Sequence, residues 1–297
     1  MRNAHPGLPE LEYVKPGSLE EASKFLVAHT GEARPFLGAT DTIVRIRDGA
    51  WTPKYLVDVK GLPGTNEIKF DPKEGLTIGA AVSMNKVAAH PDVKKHYPLL
   101  VEACNWVASY QLRSRATIVG NVCNASPAGD TIGTSIVLGG VLNVFGPDGI
   151  RKEPLSTFFF APGKTALKPG DIATSISFPI SPKDSAGKYL KLGRNRLGDL
   201  AIVGVTAFGY PDSSAASGYR FHITLASVGP TPIRAKAAEE ILASKPINEE
   251  TIFEAAVAAM DSCTPIDDTR GTARYRKLMI RNLTKNAVAD VAAKIVK

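Results

Sequence analysis

Two stretches of this 297-residue sequence could hold a ligand with the backbone rather than with side chains. One is Phe36-Leu37-Gly38-Ala39-Thr40-Asp41-Thr42. The other begins Thr117-Ile118-Val119-Gly120-Asn121 and runs on through Ser126-Pro127-Ala128-Gly129 to Asp130. Both contain small residues and no Lys or Arg, although the chain carries a net charge of +7. Glycine lets a backbone come close to a ligand, and successive peptide N–H groups make a concavity that suits an anion. The second stretch lacks helical periodicity and reads as a loop. We expect the two loops to close around one extended, phosphate-containing ligand.

The usual catalytic signatures are missing. There is no Gly-x-Ser-x-Gly elbow, His-Glu-x-x-His pair, Walker-type loop or Gly-x-Gly-x-x-Gly fingerprint. The five histidines are scattered, so neither a zinc site nor an iron–sulfur cluster is expected within the chain. Three well-separated cysteines, Cys104, Cys123 and Cys263, argue against a disulfide framework and fit a reducing cytoplasm. Binding loops without a nucleophile suit a protein whose cofactor carries the chemistry.

The elements that must position these loops can be read in order. Ser18-Leu19-Glu20-Glu21 is a capping box opening a helix that Gly31 ends. Arg34 to Leu37 reads as a strand feeding the Gly38 loop, Thr42 to Arg47 as a helix and Tyr55 to Val59 as a strand. Gly38 and Thr40 therefore lie where a helix N-terminus can receive an anion. Asp71-Pro72-Lys73-Glu74-Gly75 signals a hairpin. Residues 98 to about 109 form a helix leading to the second loop, and Val141 to Phe145 and Ile172 to Pro179 read as strands. The longest uncharged run, Thr131 to Pro147, is broken by Gly, Ser, Thr and Asn, and reads as buried core rather than a membrane span.

Beyond the linker-like Ser181-Pro182-Lys183-Asp184-Ser185-Ala186-Gly187 come three strands and then three helical segments, an antiparallel sheet with helices on one face. Hydrophobic content of 44% and charged content of 22% are those of a soluble globular protein. Residues 1 to 7 show no secretory signal. Lys and Arg are spread rather than clustered, which disfavours a nucleic-acid-binding module.

Taken together, Gly38-Ala39-Thr40-Asp41, Thr117-Ile118-Val119-Gly120-Asn121 and Ser126-Pro127-Ala128-Gly129-Asp130 resemble the FAD-binding (medium) subunit of the xanthine dehydrogenase/carbon monoxide dehydrogenase family of molybdenum hydroxylases. Members carry Gly-Gly-Thr-Asp at the first loop, Thr-Ile-Gly-Gly-Asn at the second, and an Asp nine residues after that Asn. Gly163-Lys164-Thr165, Lys191-Leu192-Gly193-Arg194, Thr231-Pro232-Ile233-Arg234 and Ala273-Arg274-Tyr275-Arg276 continue the resemblance along nearly the whole chain.

The resemblance implies an α+β chain: a two-subdomain FAD-binding fold of the vanillyl-alcohol oxidase/PCMH type, then a C-terminal antiparallel sheet packed with helices. It implies units at residues 1–60, 61–180 and 181–297. Phe36 to Thr42 and Thr117 to Asn121 would wrap the FAD diphosphate and adjoining sugar, with Val107 packing on the cofactor. Asp130 would bond the cofactor, Ile172-Ala173 would offer a backbone edge, and Lys191 would lie near the isoalloxazine. Molybdopterin would reside in a large partner subunit and two 2Fe-2S clusters in a small one, as a dimer of heterotrimers in the cytoplasm. Electrons would pass from the clusters through FAD to an external acceptor.

A stand-alone FAD-dependent oxidase or dehydrogenase is the alternative. Asp41 and Asp130 could instead be helix caps, Lys191 a solvent-facing side chain and Val107 a core residue. Two residues depart from the family pattern. Ala39 is comfortable if its φ is below zero, whereas a β-branched Val119 is strained where φ is positive.

Overall fold

The computed structural model describes residues 7–195 and 198–296. The six residues on which the reading of no secretory signal chiefly rests lie outside them.

The chain begins with β1 (Glu12–Val14), α1 (Leu19–Ala28), β2 (Ala33–Phe36), α2 (Thr42–Arg47) and β3 (Tyr55–Asp58). The strands form a parallel sheet in the order β1-β3-β2, as helical crossovers require. The capping box forms with a shift of one residue. Ser18 Oγ accepts from the Glu21 amide at 3.1 Å, but the Glu21 carboxylate reaches the amide of Gly17 at 2.7 Å. Ala22 and Leu26 of α1 pack on Val57, Val59 and Leu62 in a small core that also takes in Ile172 from far along the chain.

Next come β4 (Ile68–Asp71), β5 (Gly75–Gly79), α3 (Met84–Ala89), α4 (Pro91–His96), α5 (Pro98–Trp106), α6 (Tyr110–Arg113), α7 (Ile118–Asn124) and α8 (Asp130–Val137). They are followed by β6 (Val141–Gly146), β7 (Gly149–Pro154), β8 (Phe159–Ala161), β9 (Lys164–Thr165) and β10 (Ile172–Phe178). β4-β5-β10-β6-β7 is an antiparallel sheet, with β8 and β9 a separate pair. α3, α5, α7 and α8 supply the helical side of its core, with Leu100, Ala103, Cys104, Ile118, Val122 and Ile132 all buried. Three short helices, α4, α6 and α7, escape the sequence reading. α4 starts on Pro91, and α6 is N-capped by Ser109, whose hydroxyl accepts from the Leu112 amide at 3.3 Å.

The last part is β11 (Ala186–Leu192), β12 (Val203–Pro211), β13 (Tyr219–Ala226), β14 (Ile233–Arg234), α9 (Lys236–Ser244), α10 (Glu249–Asp261) and α11 (Ala273–Ile295), with the strands antiparallel in that order. The expectation of helices on one face is half of the arrangement. Val203, Val205 and Ala207 point to the core shared with α9, α10 and α11. Their alternates point the opposite way: Thr206 Oγ1 lies 3.4 Å from Thr134 Oγ1 of α8, and Phe208 joins the core of the preceding sheet. β12 is therefore buried on both faces from Val203 to Gly209. Tyr189 pairs with Thr206 and Lys191 with Gly204, so both side chains share the face directed at α8.

Two carboxylates held by arginines set an expected acid response. Asp212, bonded by the Ser214 hydroxyl and the Arg220 guanidinium, and Asp199, bonded by Arg194, are both held down to about 2. Depressed carboxyls stabilise the fold above their ordinary value of about 4, and that stability is lost as pH falls through the folded value. Urea midpoints should therefore fall between about pH 4 and about pH 2, and Asp212→Asn should flatten the fall.

Among the described residues no helix is long and apolar enough to cross a membrane, and no group of three or more His, Cys, Asp or Glu could hold a metal ion.

Candidate cofactor site

One cavity of about 420 Å³ collects residues from every part of the chain. Leu37 to Thr42 line one side; Thr117, Gly120, Asn121 and Asn124 line another. Val107, Asp130, Ile172 and Ala173 complete the wall, and Gly198, Asp199 and Leu200 reach in from the C-terminal part.

The first wall leaves β2 and turns at Gly38 before α2 begins. Among the described residues, the backbone N–H groups of residues 38–42 donate to no protein acceptor, so five successive amides are free beside the cavity. Asp41 stands at the N-cap position without a side-chain capping bond and is exposed. Ala39 departs from the expectation: its φ is +64°, in the left-handed region. An L-residue is strained there by roughly 1–2 kcal/mol relative to the right-handed region. The family glycine at this position is thus explained by backbone conformation, and this chain carries the strain. Gly38 has a different constraint. A Cβ there would lie 2.2 Å from the Arg115 carbonyl oxygen, so the loop touches the backbone just ahead of the second wall.

The second wall is the start of a helix, not the loop expected from sequence. Thr117 is the N-cap of α7, its Oγ1 accepting from the Gly120 amide at 2.9 Å. Two bulky residues then turn inward: Ile118 and Val119 are both buried in the core. Val119 has ordinary helical geometry, so the anticipated strain is absent. Its side chain points away from the cavity, into the core. Asn121 is locked from behind: its Oδ1 accepts from the Thr131 hydroxyl at 2.7 Å and the Thr131 amide at 3.3 Å. That orientation leaves the Asn121 NH₂ group for the cavity. Asn124, one turn on, lines the cavity with a buried Oδ1 that has no partner.

Asp130 caps nothing. It is the first residue of α8, and its buried carboxylate accepts from Tyr189 Oη at 2.6 Å and Lys191 Nζ at 2.8 Å. Lys191 therefore does not face solvent; its ammonium also donates to the Trp106 carbonyl at 3.3 Å, and its side chain is only 5% exposed. Burial pushes the Asp130 carboxyl up, with the Lys191 ammonium opposing it. Burial, and then the Asp130 charge, raises the Tyr189 phenol well above its usual value.

Of the residues anticipated from sequence, four do not line the cavity: Phe36, Ile118, Val119 and Lys191. Phe36 turns to the other side of its strand, edge-on to Tyr13 and 4.3 Å from the Lys60 ammonium. Val107 does both things weighed for it, being 8% exposed in the core and lining the cavity. Phe158 is buried and Phe160 exposed, and neither reaches the cavity. Sequence reasoning missed Arg34, Trp51 and Asn124. Arg34 lies on β2, four residues before Gly38, a proximity that could have flagged it; Trp51 carried no local signal.

Comparison with known proteins agrees with this geometry. Residues 9–181 match the FAD binding domain in molybdopterin dehydrogenase, and residues 188–291 match the CO dehydrogenase flavoprotein C-terminal domain. The carbon monoxide dehydrogenase medium chain of Hydrogenophaga pseudoflava is 30% identical over 282 residues, covering 94% of this chain and 96% of that one. A putative xanthine dehydrogenase FAD-binding subunit of Escherichia coli K12 is 26% identical over 90% of this chain and 91% of its own length. Among solved structures, carbon monoxide dehydrogenase from Hydrogenophaga pseudoflava, in a form lacking the Mo-pyranopterin moiety, superposes with a TM-score of 0.92 at 29% identity, covering 97% and 99% of the two chains. With both domain matches in register and the walls of the cavity built from the motifs that carried the resemblance, the chain belongs to the family of FAD-binding (medium) subunits of xanthine dehydrogenase- and carbon monoxide dehydrogenase-type molybdenum hydroxylases.

Proposed function

We propose that the chain is the flavoprotein electron-transfer subunit of a heteromeric molybdenum hydroxylase. The observation that carries this reading is the run of free amides of residues 38–42 beside a cavity whose other wall is the start of α7. The residues present fit FAD. Uncommitted N–H groups suit a diphosphate, the orphaned Asn124 amide suits a heterocycle edge, and Val107, Ile172 and Ala173 offer apolar contact. When bound, FAD supplies the exchange between one- and two-electron chemistry that such a subunit needs. The chain's own part is to hold it: backbone amides neutralise charge, Thr117 fixes the start of α7, and Thr131 fixes the Asn121 amide.

Leu37 to Thr42, Thr117, Gly120, Asn121, Val107, Asp130, Ile172 and Ala173 make up the proposed FAD shell, with Lys191 acting through Asp130 and Phe36, Ile118 and Val119 outside it. The three units at 1–60, 61–180 and 181–297, a molybdopterin-binding large subunit, a 2Fe-2S small subunit, a dimer of heterotrimers and a cytoplasmic setting complete the reading. The relatives that support it are medium chains by name, such as that of Afipia carboxidovorans carbon monoxide dehydrogenase. Cys123 lines the cavity and packs against the core, and burial pushes its thiol up to about 12, which disfavours the thiolate a cysteine-attached flavin would need.

Purification from the native host should give a yellow protein with one flavin per chain and two co-purifying subunits bearing iron–sulfur and molybdenum. A lone chain that oxidises an alcohol or sugar would sink the reading. Gly120→Val places its new Cβ 2.8 Å from the Thr117 hydroxyl that caps α7, so the start of the helix must shift and FAD should be lost, with thermal melts establishing that the variant is folded. Full flavin occupancy in that variant would remove α7 from the site.

A further inference from the structure

Arg34 and Arg45 share one indole. The Arg34 guanidinium carbon lies 3.6 Å from the centre of the Trp51 ring and that of Arg45 lies 4.9 Å from it. Among the described residues neither guanidinium has a carboxylate within ion-pair distance, whereas Arg151, Arg194, Arg220, Arg234, Arg270 and Arg276 all have one. Arg34 and Trp51 both line the cavity that the Gly38 loop also lines. The arrangement is electrostatically unfinished. Burial, and then the charge of Arg45, hold the Arg34 guanidinium below its usual range. An indole face attracts a cation but brings no negative charge to cancel it, and stacking leaves the N–H edges of the guanidinium free. An anion placed against those edges would answer both the repulsion and the unused donors.

We propose that Arg34, seated on Trp51 and backed by Arg45, is the phosphate anchor of this cavity, binding the diphosphate of the nucleotide held there. The assignment rests on the FAD reading for the identity of that nucleotide. It gives the cavity a point charge beside the neutral amides of residues 38–42, and it makes affinity depend on the phosphates rather than on the flavin ring.

The test measures binding of FAD, ADP and riboflavin to the full-length chain stripped of flavin, at several salt concentrations. R34Q should weaken FAD and ADP about tenfold, the size expected for one charge-assisted contact, and should flatten the salt dependence of both. Riboflavin, which has no phosphate, should bind R34Q and the parent equally. R34K, which restores charge without the planar fork, should recover part of the loss. Thermal melts establish that the variant is folded. Should R34Q not fold, Arg45→Gln applies the same test: FAD and ADP weakened, riboflavin unchanged. Parent-like FAD and ADP binding by the folded variant overturns the anchor, as does an equal loss for riboflavin. A parent chain that binds ADP but not FAD would instead sink the FAD reading and leave the anchor standing.

Discussion

Gly38→Ala should lower the stability of the chain by about 1–3 kcal/mol and release its flavin together. The new methyl would lie 2.2 Å from the Arg115 carbonyl oxygen, 2.9 Å from the carbon of that carbonyl and 3.3 Å from the Ala116 Cα. All three are backbone atoms, so no side chain can swing aside. Relief requires moving the Gly38 loop away from the residues that lead into Thr117, and those two segments are the two walls of the cavity. Urea midpoints and flavin retention through gel filtration check both halves. Gly61→Ala is the control: nothing lies within 4 Å of its added Cβ and its φ is not positive, so midpoint and flavin should match the parent. A Gly38→Ala protein with parent midpoint and full flavin would show that the walls are not in contact.

Asp130→Ala should be the more severe substitution. Asp130 and Lys191 side chains are 8% and 5% exposed, and their oxygen and nitrogen are 2.8 Å apart. Removing the carboxylate strands an ammonium among apolar neighbours and leaves the buried Tyr189 hydroxyl without its acceptor. Breaking a buried pair from one side costs about 3–5 kcal/mol, whereas replacing both ends by apolar groups of similar volume is often close to neutral. The expected result is a sharp fall in urea midpoint for Asp130→Ala and substantial recovery in Asp130→Leu/Lys191→Met. Flavin binding should be impaired in both, because the carboxylate borders the cavity. A double variant no more stable than Asp130→Ala would mean that the pair is not the reason for the loss.

Local signals carried most of the fold. The Ser18 box, the hairpin at Asp71 to Gly75, and the strand Ile172 to Phe178 each depend on neighbours a few residues away, and each formed, the strand with a bulge between Ala173 and Ser175 that breaks its alternation. α7 did not announce itself because Gly120, Asn121 and Asn124 are poor helix formers; Thr117 supplies the cap and Ile118, Val119 and Val122 supply the buried face. Whether Val119 was strained turned on that same secondary-structure assignment. Ala39 went the other way, since a positive φ is fixed by the loop and leaves no mark in the alanine itself.

The site was legible as two glycine-containing segments but not as a charged enclosure. The Asp130–Lys191 pair spans 61 residues, and the Arg34–Trp51 stack joins a strand to a residue after a helix. Such contacts follow from topology, with β11 presenting Tyr189 and Lys191 to α8 only because β12 is buried on both faces.

That double-sided burial has a consequence for synthesis of the chain. A growing polypeptide emerges from the ribosome N-terminus first, and α8 is complete long before β11 to β13 exist. Until they arrive, Asp130 has no counter-ion, and the face of α8 that will meet Thr206 and Thr224 is open to water. The nascent cavity therefore lacks its full electrostatic form until the third sheet docks. Flavin loading is therefore expected after translation of that sheet, and a chain stopped near residue 181 is expected to lack the Lys191 partner of Asp130 and the cavity wall at residues 198–200.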